Sequence, residues 1–505
     1  MIIQARRSTP AAYRGDSLVL FMFEKEKLTG EDADLDRASG GMAARAVRSG
    51  DFEGKAGQVA FLYPEKGFAA GRIILSGLGE RKRFDSGAWR RALADTARRL
   101  RGTGIREFAF AMNHCRPADN FEAMVEAAVE GILLGMYRFT AYKTEDNSGA
   151  AAPTKAVLLD PSMARIREAR RAIARAKVVS DAVCLARELA CRPANDMTPR
   201  KMADVARRIA AKEAVRTRIL HPAGMKKLGM NAILSVAGGS HEPARLITME
   251  YNGRGKSREK IVLIGKGITF DSGGICIKNP DRMDEMKSDM SGGAAVIGAI
   301  NAAARLKLPV NVVGLVPAME NLPGGGASRP GDIVKSMSGR TIEIVNTDAE
   351  GRLALADALT YAAHFRPAAV IDIATLTGAC VVALGDRVAG MMGNDAELKK
   401  RISSAAEKSG ERVWELPLEE EYLEKLKSEC ADIKNSGGRE GGAVTAAAFL
   451  GRFADSYPWV HLDIAGPAWA DSEYGFVSKG PTGFGVLLLV RFLRDWAELP
   501  HGERS

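Results

Sequence analysis

Charged residues in this chain gather at two places where a predicted strand passes into a predicted helix. The first is the segment 346–353, NTDAEGRL, between a predicted strand over residues 341–345 and a predicted helix over residues 353–365. The second follows the apolar run IVLI at 261–264 and ends where another helix is predicted to begin, at Ser291. Open α/β sheets bind their ligands at the carboxyl ends of strands, so this placement predicts an α/β fold with a site at these junctions.

The first segment carries Asp348, Glu350 and Arg352 at alternate positions. In an extended chain, this spacing sends the three side chains to the same side. Two carboxylates beside a helix N-terminus suit a cation such as Mg²⁺, Mn²⁺ or Zn²⁺, and the guanidinium suits an anion held next to it. A helix cap with a surface ion pair is the alternative interpretation of the same pattern.

The second segment, 265–274, reads GKGITFDSGG, and its glycines predict a turn at a strand end where a ligand can approach closely. The segment contains Lys266 and Asp271 and is followed by Lys278 and Asp289. We interpret these residues as a second group that acts together with the first segment. An ordinary ion pair between Lys266 and a nearby acid is the alternative.

Several common catalytic and binding motifs are absent from the sequence. The chain contains neither HExxH nor CxxC, which argues against the usual zinc-protease and zinc-finger sites. It also lacks the P-loop motif GxxxxGK[ST] and the GxSxG motif of serine hydrolases. Six dispersed cysteines are typical of free thiols in a reducing compartment. The first ten residues have no signal-peptide core and no apolar run could span a bilayer, so we predict a cytoplasmic protein.

Length and composition predict two domains. A chain of 505 residues with 46% hydrophobic residues can form more than one ordinary core. Residues 1–160 alternate short apolar runs with helical patterns at 86–100 and 120–137, which predicts a small N-terminal α/β domain. A long helix over 161–195 is predicted to link it to a larger C-terminal domain, 196–505, with a mixed central sheet flanked by helices.

The charge of the chain is unevenly distributed. The formal net charge is +10, and much of the excess lies in arginine-rich stretches at 81–83, 90–101 and 165–175. A basic face can bind nucleic acid or acidic partners, and the alternative is a solvated helix face with intrahelical ion pairs. Few aromatic residues interleave the arginines, which disfavours stacking on single-stranded nucleic acid.

Taken together, the motifs resemble those of the leucine aminopeptidase family, the cytosol aminopeptidases that use two metal ions. The resemblance covers roughly residues 186–493 and is specific, because several separated motifs follow one another in the family's order. The matching motifs are GKGITFDSGG at 265–274, NTDAEGRL at 346–353, NSGGREGG at 435–442, HLDIAGPAW at 461–469 and TGFG at 482–485. The resemblance implies hydrolysis of N-terminal amino acids from peptides by a water that two metals activate.

The resemblance also implies which residues bind the metals. Two divalent ions, Mn²⁺ or Zn²⁺, would be bridged by Asp271 and Glu350. A lysine can ligate a metal only as the neutral amine, so Lys266 would need a strongly lowered pKa. The full set of implied metal ligands is Lys266, Asp271, Asp289, Asp348 and Glu350.

Two cations match the family's catalytic residues. Lys278 would stabilise the oxyanion at the former carbonyl. Arg352 would hold a bicarbonate ion that acts as general base, because a guanidinium keeps its charge beside an anion. This use of an anion would explain a hydrolase site without a histidine in any of its motifs.

Substrate preference and assembly are further implications of the resemblance. The family is a homo-hexamer that acts on peptides, and its first side-chain pocket is small and apolar here, which favours leucine-like residues. The matching pocket residues are Met286, Thr375, Gly378, Ala465 and Ala468. Two other functions stay open: a nucleic-acid-binding regulator that uses the basic N-terminal face on a peptidase scaffold, and a di-metal hydrolase of another amide or ester.

Overall fold

The structure, a computed structural model, describes residues 1–64, 69–112, 120–145, 152–255, 257 and 259–499. The described chain divides into two compact units. The first is Met1–Asp181 with Ser472–Ser478, and the second is Ala182–Asp471 with the chain from Lys479 onwards. The division falls inside the helix Met163–Cys191, so the predicted linking segment contributes to both units. The limits 1–160, 161–195 and 196–505 stay a prediction.

The first unit is built on a six-stranded sheet, as far as the described residues show. Its strands are β1 (Ile2–Arg7), β2 (Gly15–Phe23), β3 (Val59–Leu62), β4 (Ala70–Gly79), β5 (Glu107–Ala111) and β6 (Lys155–Asp160). They lie in the order β1-β6-β5-β2-β4-β3. All neighbouring pairs are parallel except β3 with β4, as expected of strands that alternate with crossover helices.

Helices cover both faces of this sheet. They are α1 (Gly30–Ala38), α2 (Met42–Arg48), α3 (Ser86–Leu100), α4 (Phe121–Gly135) and α5 (Met163–Cys191). Successive residues of β2 serve opposite faces: Val19 and Phe21 pack with α3 and α4, whereas Leu18 and Leu20 pack with residues of α1 and α2. The N-terminal half is thus an α/β unit, as the alternation of short apolar runs with helical patterns in its sequence predicts.

Many of the arginines in the basic stretches are engaged in ion pairs within the first unit. Arg90 is buried rather than part of a surface face, and its Nε donates to Glu130 at 2.8 Å. Further pairs join Arg81 to Glu26, Arg98 to Asp95, Arg101 to Glu473 and Arg175 to Glu126. Of these five pairs, only Arg98 with Asp95 lies within one helix. The other four arginines are paired with acids on other elements, and not within a solvated helix face.

The second unit contains a nine-stranded sheet and two smaller ones in its described part. Its strands are β7 (Val215–Leu220), β8 (Arg245–Asn252), β9 (Ile261–Gly265), β10 (Gly267–Asp271), β11 (Asn311–Asn321), β12 (Ile333–Lys335), β13 (Thr341–Glu343), β14 (Ala369–Ala374), β15 (Ala389–Gly393), β16 (Val413–Glu415), β17 (Ile433–Lys434), β18 (Trp459–Asp463), β19 (Trp469–Ala470) and β20 (Gly480–Pro481). The large sheet has the order β16-β15-β18-β14-β9-β11-β8-β7, with β10 paired to β11. Parallel strands occupy its centre. Antiparallel pairs join β15 to β18 on one side and β8 to β11 and β7 on the other, and the outermost strand β16 is parallel to β15, which confirms the predicted mixed sheet.

Helices pack on both faces of the large sheet. They are α6 (Pro199–Lys212), α7 (Pro222–Lys227), α8 (Asn231–Val236), α9 (Ser291–Arg305), α10 (Glu350–Ala362), α11 (Gly378–Leu384), α12 (Ala396–Ser409), α13 (Gly442–Gly451) and α14 (Val486–Glu498). Residues of α8, α10 and α13 share one core with Val262, Ile264, Val313 and Leu315. Gly314, between the last two, faces Val296 and Ile300 of α9 on the other side.

Of two local predictions around the charged segments, one is wrong and one is incomplete. The segment that carries Glu350 and Arg352 is not extended, because α10 already begins at Glu350 and its first turn contains Arg352. In the glycine-rich segment, the predicted turn lies at Gly273 and Gly274, which have positive φ, but Gly267–Asp271 before it forms β10 and pairs in parallel with the second half of β11.

Two further predictions concern membrane-spanning segments and the state of the cysteines. Among the helices of the described chain, none has the length and apolar character needed to cross a membrane. Five cysteines are free thiols in the structure: Cys184, Cys191, Cys276, Cys380 and Cys430. Cys115 lies outside the described residues.

Candidate active site

The charged segments meet at the carboxyl ends of the central strands of the large sheet. Lys266 directly follows β9, and Asp271 is the last residue of β10. Thr375 directly follows β14, while Asn321 and Asp463 end β11 and β18. Because these five strands are parallel to one another, their carboxyl ends lie on the same side of the sheet, where ligands of open α/β sheets bind.

Lys266 is the centre of the first group of side chains. Its Nζ lies 2.8 Å from Asp289 Oδ2 and 2.7 Å from Glu350 Oε1, and it donates to the carbonyl of Thr375 at 2.9 Å. The residue is only 2% exposed. The structure therefore brings together three of the predicted ligands in a buried cluster.

Lys278 is the centre of the second group. Its Nζ lies 2.8 Å from Asp271 Oδ2 and forms a further ion pair with Asp348. About a quarter of its side chain, 24%, is exposed, whereas Asp271 is buried. Lys278 thus lies at the accessible margin of the cluster, where a substrate can reach it.

Carboxylates link the two groups. Oxygen atoms of Asp271, Asp348 and Glu350 lie within 4.8 Å of one another, close enough for a common metal ion. Burial raises the pKa of Asp289, of Asp348 and of Glu350, and neighbouring carboxylates raise these values further. A cluster of this kind is costly unless cations neutralise it, as the two lysines do here.

The pKa values of the two lysines are raised as well, although burial acts on them in the opposite direction. Burial lowers the pKa of Lys266, but the charges of Asp289 and Glu350 outweigh it and raise that pKa above its ordinary value. For Lys278, burial is likewise outweighed, and the carboxylates of Asp271, Glu350 and Asp348 raise the pKa. Both ammonium groups are therefore charged in this arrangement of side chains.

Arg352 lies beside the cluster in the first turn of α10. Its Nη1 donates to the backbone carbonyl of Asn435 at 2.9 Å, and its Nε is buried without a hydrogen-bond partner in the described chain. Burial lowers the pKa of Arg352 to about 10, although Glu350 and Asp463 oppose this effect. The guanidinium thus stays charged at neutral pH and has a donor available for an anion.

Two glycines of the motifs are required by close approaches. A Cβ on Gly351 would lie 2.8 Å from Cε and Nζ of Lys266, closer than real contacts allow. Gly273 has a φ of +87°, and a Cβ there would lie 2.5 Å from the carbonyl oxygen of Cys276 and 3.0 Å from Asp348. Gly351 thus leaves room for the side chain of Lys266, whereas Gly273 is required by its positive φ and by the nearby carbonyl of Cys276.

We expect Gly351→Ala to lower kcat roughly 10–100-fold, the usual effect of disturbing the groups that orient metal ligands. The added methyl group would push Lys266 away from Asp289 and Glu350. Gly451→Ala in α13 is a matched control, because its Cβ would meet only Trp459 at an ordinary 3.6 Å. Steady-state kinetics and thermal unfolding of both variants test this expectation, which fails if the two variants have the same kcat.

Three residues that orient the site were not assigned a role from the sequence. Asn321 donates through Nδ2 to Asp271 Oδ1 at 2.8 Å and to the carbonyl of Thr347 at 3.0 Å, so it joins both charged segments. Asp463 accepts from Thr377 Oγ1 at 2.6 Å and from backbone amides of the loop after β14. The third residue is Asn435. Asp463 lies in the motif HLDIAGPAW and Asn435 in NSGGREGG, but the roles of both depend on contacts with residues distant in sequence.

The five predicted pocket residues lie in three segments of the second unit. Met286 belongs to the 3₁₀ helix Met283–Ser288, and its carbonyl accepts from Asp289. Thr375 donates to Asp289 Oδ1 at 2.7 Å, which places it directly at the charged cluster. Gly378 begins α11, while Ala465 and Ala468 follow β18, with Ala468 only 2% exposed.

Comparison with known proteins gives the family. Residues 184–490 match the description "Cytosol aminopeptidase family, catalytic domain", and residues 19–146 match "Cytosol aminopeptidase family, N-terminal domain". The chain belongs to the cytosol aminopeptidase family. Membership confirms the resemblance drawn from the sequence, the α/β fold class and the prediction of a metal-dependent aminopeptidase, a hydrolase.

Individual relatives of the family match over nearly the whole chain. A protein of Aromatoleum aromaticum named "Probable cytosol aminopeptidase" is 45% identical, with 97% of each chain covered. One of the same name from Roseiflexus castenholzii is 44% identical over 99% of this chain and 100% of its own.

Solved structures show the same fold. A mutant of tomato leucine aminopeptidase has a TM-score of 0.89 at 35% identity, covering 98% of this chain and 96% of its own. The bottromycin maturation enzyme BotP in complex with Mn has a TM-score of 0.84 at 33% identity, covering 96% of this chain and 100% of its own. At 33% and 35% identity, these structures resemble the chain in sequence as well as in fold.

Proposed function

We propose that this cytosol aminopeptidase holds two divalent metal ions at the carboxyl ends of the central strands of the large sheet and removes leucine-like residues from peptide N-termini. The observation on which the proposal rests is the convergence of carboxylate oxygens from Asp271, Asp348 and Glu350 within 4.8 Å. Glu350 also contacts Lys266, so it belongs to both groups of side chains and suits a bridging role. The proposed ligands are Lys266, Asp271, Asp289, Asp348 and Glu350.

The donor set fits Mn²⁺ or Zn²⁺. Four carboxylates supply hard oxygen donors and match the charge of two dications. Lys266, whose ammonium is charged in this structure, would add a nitrogen donor only after losing its proton to make room for a dication. A relative of known structure is described in complex with Mn. When bound, such a pair of ions lowers the pKa of a shared water and polarises the scissile carbonyl.

Lys278 is proposed to stabilise the oxyanion that forms from the scissile carbonyl. Its ammonium lies at the accessible margin of the cluster, and the surrounding carboxylates keep it protonated by raising its pKa. A preorganised cation at this position acts on charge that develops in the transition state, where such an interaction is most effective.

Arg352 is proposed to hold a bicarbonate ion that takes a proton from the attacking water. The buried Nε without a partner and the retained positive charge both fit a small anion at this place. The guanidinium cannot itself act as the base at neutral pH, which is why an anion is needed. When bound, such an anion would supply the general base that the guanidinium cannot provide, and Arg352 would hold it in place.

The substrate's free amine is proposed to lie at Asp289, next to the pocket residues. Thr375 joins the two regions, because its hydroxyl bonds Asp289 and its carbonyl accepts from Lys266. The proposed pocket contains no charged side chain, which favours leucine and methionine over acidic or basic residues. Its residues are Met286, Thr375, Gly378, Ala465 and Ala468.

Free and N-acetylated leucyl anilides test this assignment. We expect hydrolysis of leucyl anilide and no hydrolysis of the acetylated compound, since acetylation removes the basic amine that the site is proposed to bind. The measurement is release of the aniline chromophore with Mn²⁺ present. Comparable rates for the two compounds would instead support a di-metal hydrolase of other amides.

Assembly and location complete the proposal. We propose a homo-hexamer that acts on peptides in the cytoplasm, on the basis of the family resemblance. Light scattering of the purified protein checks the assembly, and a monomeric mass would contradict it.

A further inference from the structure

We infer that Asn435 is a positioning residue. Its side chain fixes the loop between β13 and α10 and thereby positions Asp348, Glu350 and Arg352. This inference rests on the proposed function, because it assigns a purpose to the segment that carries two proposed ligands. Asn435 itself touches no substrate or reacting atom in the proposal.

The amide of Asn435 binds the loop at several backbone atoms. Its Oδ1 accepts from the amides of Val345 at 2.9 Å and Asn346 at 3.3 Å. Its Nδ2 donates to the carbonyls of Asn346 at 2.7 Å and Ala349 at 3.4 Å. The side chain thus uses both of its functional groups on the stretch that leads into α10.

Asn435 is itself firmly held. It is fully buried at 0% exposure, and its backbone amide donates to the carbonyl of Glu343 at 2.9 Å, next to the pairing of β17 with β13. Its own carbonyl accepts from Arg352 Nη1. One residue therefore fixes both the loop that carries Asp348 and the guanidinium that follows it.

The buried environment makes these bonds hard to replace. Backbone groups that lose a buried partner are left unsatisfied, and the loop must move to regain one. A shift of about 1 Å in groups that act on a substrate can cost about 100-fold in rate. Loss of the side-chain amide of Asn435 is therefore expected to lower kcat as well as thermal stability.

Asn311 offers a matched control in the same unit. It is also buried, at 3% exposure, and its side chain donates to the carbonyl of Ser257 at 2.8 Å and accepts from the amide of Arg254 at 3.0 Å. It begins β11, whereas the site lies at the opposite end of that strand. Asn311→Asp therefore repeats the chemical change far from the charged cluster.

The test compares Asn435→Asp and Asn435→Ser with Asn311→Asp, using full-length protein with Mn²⁺ and leucyl anilide. We expect kcat to fall about 100-fold in Asn435→Asp and by a smaller factor in Asn435→Ser, with KM little changed. Asn311→Asp should lose comparable thermal stability but keep the wild-type kcat. An equal kcat in the Asn435 and Asn311 variants would overturn the inference.

Hydrogen exchange of peptides that span 341–352, followed by mass spectrometry, gives a readout independent of activity. Exchange there should be faster in Asn435→Asp and unchanged in Asn311→Asp. Wild-type protein that cleaves no anilide would contradict the proposed function, and the exchange result would then decide the inference alone. Unchanged exchange over 341–352 in both Asn435 variants would overturn it.

Discussion

Replacing Asp271 by Asn is expected to abolish peptidase activity and to remove bound metal. Asn keeps an oxygen that can accept from Asn321 Nδ2 and from the amide of Gly273, but its NH₂ group replaces the Oδ2 that pairs with Lys278. What is lost is the negative charge of a proposed bridging ligand. The neutral amide oxygen of Asn would be a much weaker ligand for a dication than the carboxylate it replaces.

Metal analysis of the dialysed protein and the rate of leucyl-anilide hydrolysis are the two measurements. Asp284→Asn is the control, because Asp284 is an exposed acid in the neighbouring segment and lies outside the cluster. We expect two ions per chain and full activity in that control. Two ions per chain in Asp271→Asn would show that Asp271 is not a bridging ligand.

Replacing Lys278 by Met is expected to lower kcat roughly 10²–10³-fold, the effect of losing one preorganised oxyanion donor. The side chains are similar in length, so packing at the partly exposed position changes little. KM should change less than kcat, since the ammonium acts on charge that is fully developed only in the transition state. Bound metal should be retained, because Lys278 is not a proposed ligand.

The control for this variant is Lys287→Met, which removes a lysine from the nearby 3₁₀ helix Met283–Ser288. We expect this control to keep the kcat of the wild-type protein. Kinetics over a range of substrate concentrations separate kcat from KM for both variants. A wild-type kcat in Lys278→Met would mean that the oxyanion is stabilised elsewhere.

The sequence was sufficient for elements whose apolar pattern is strong. The runs at 261–264 and 369–373 lie in β9 and β14, because strands buried on both faces are almost continuously apolar. By contrast β1, Ile2–Arg7, went unpredicted. It lies at the sheet edge, and only Ile3 and Ala5 of its six residues are buried.

Local backbone structure near the charged cluster was harder to predict. Alternate spacing of Asp348, Glu350 and Arg352 indicated an extended chain, yet α10 begins at Glu350. Convergence of these side chains depends on the turn before the helix, which Asn435 fixes from about 90 residues further along the chain. Contacts of such long sequence separation leave no periodic signal, so motif order rather than spacing identified this site.

The most direct test of the central claim is hydrolysis of leucyl anilide by protein that has been stripped of metal with a chelator and then resupplied. The proposal predicts no activity after stripping and recovery with Mn²⁺ or Zn²⁺, in step with binding of two ions per chain. Full activity in the stripped protein, or no activity after two ions have been bound again, would contradict it.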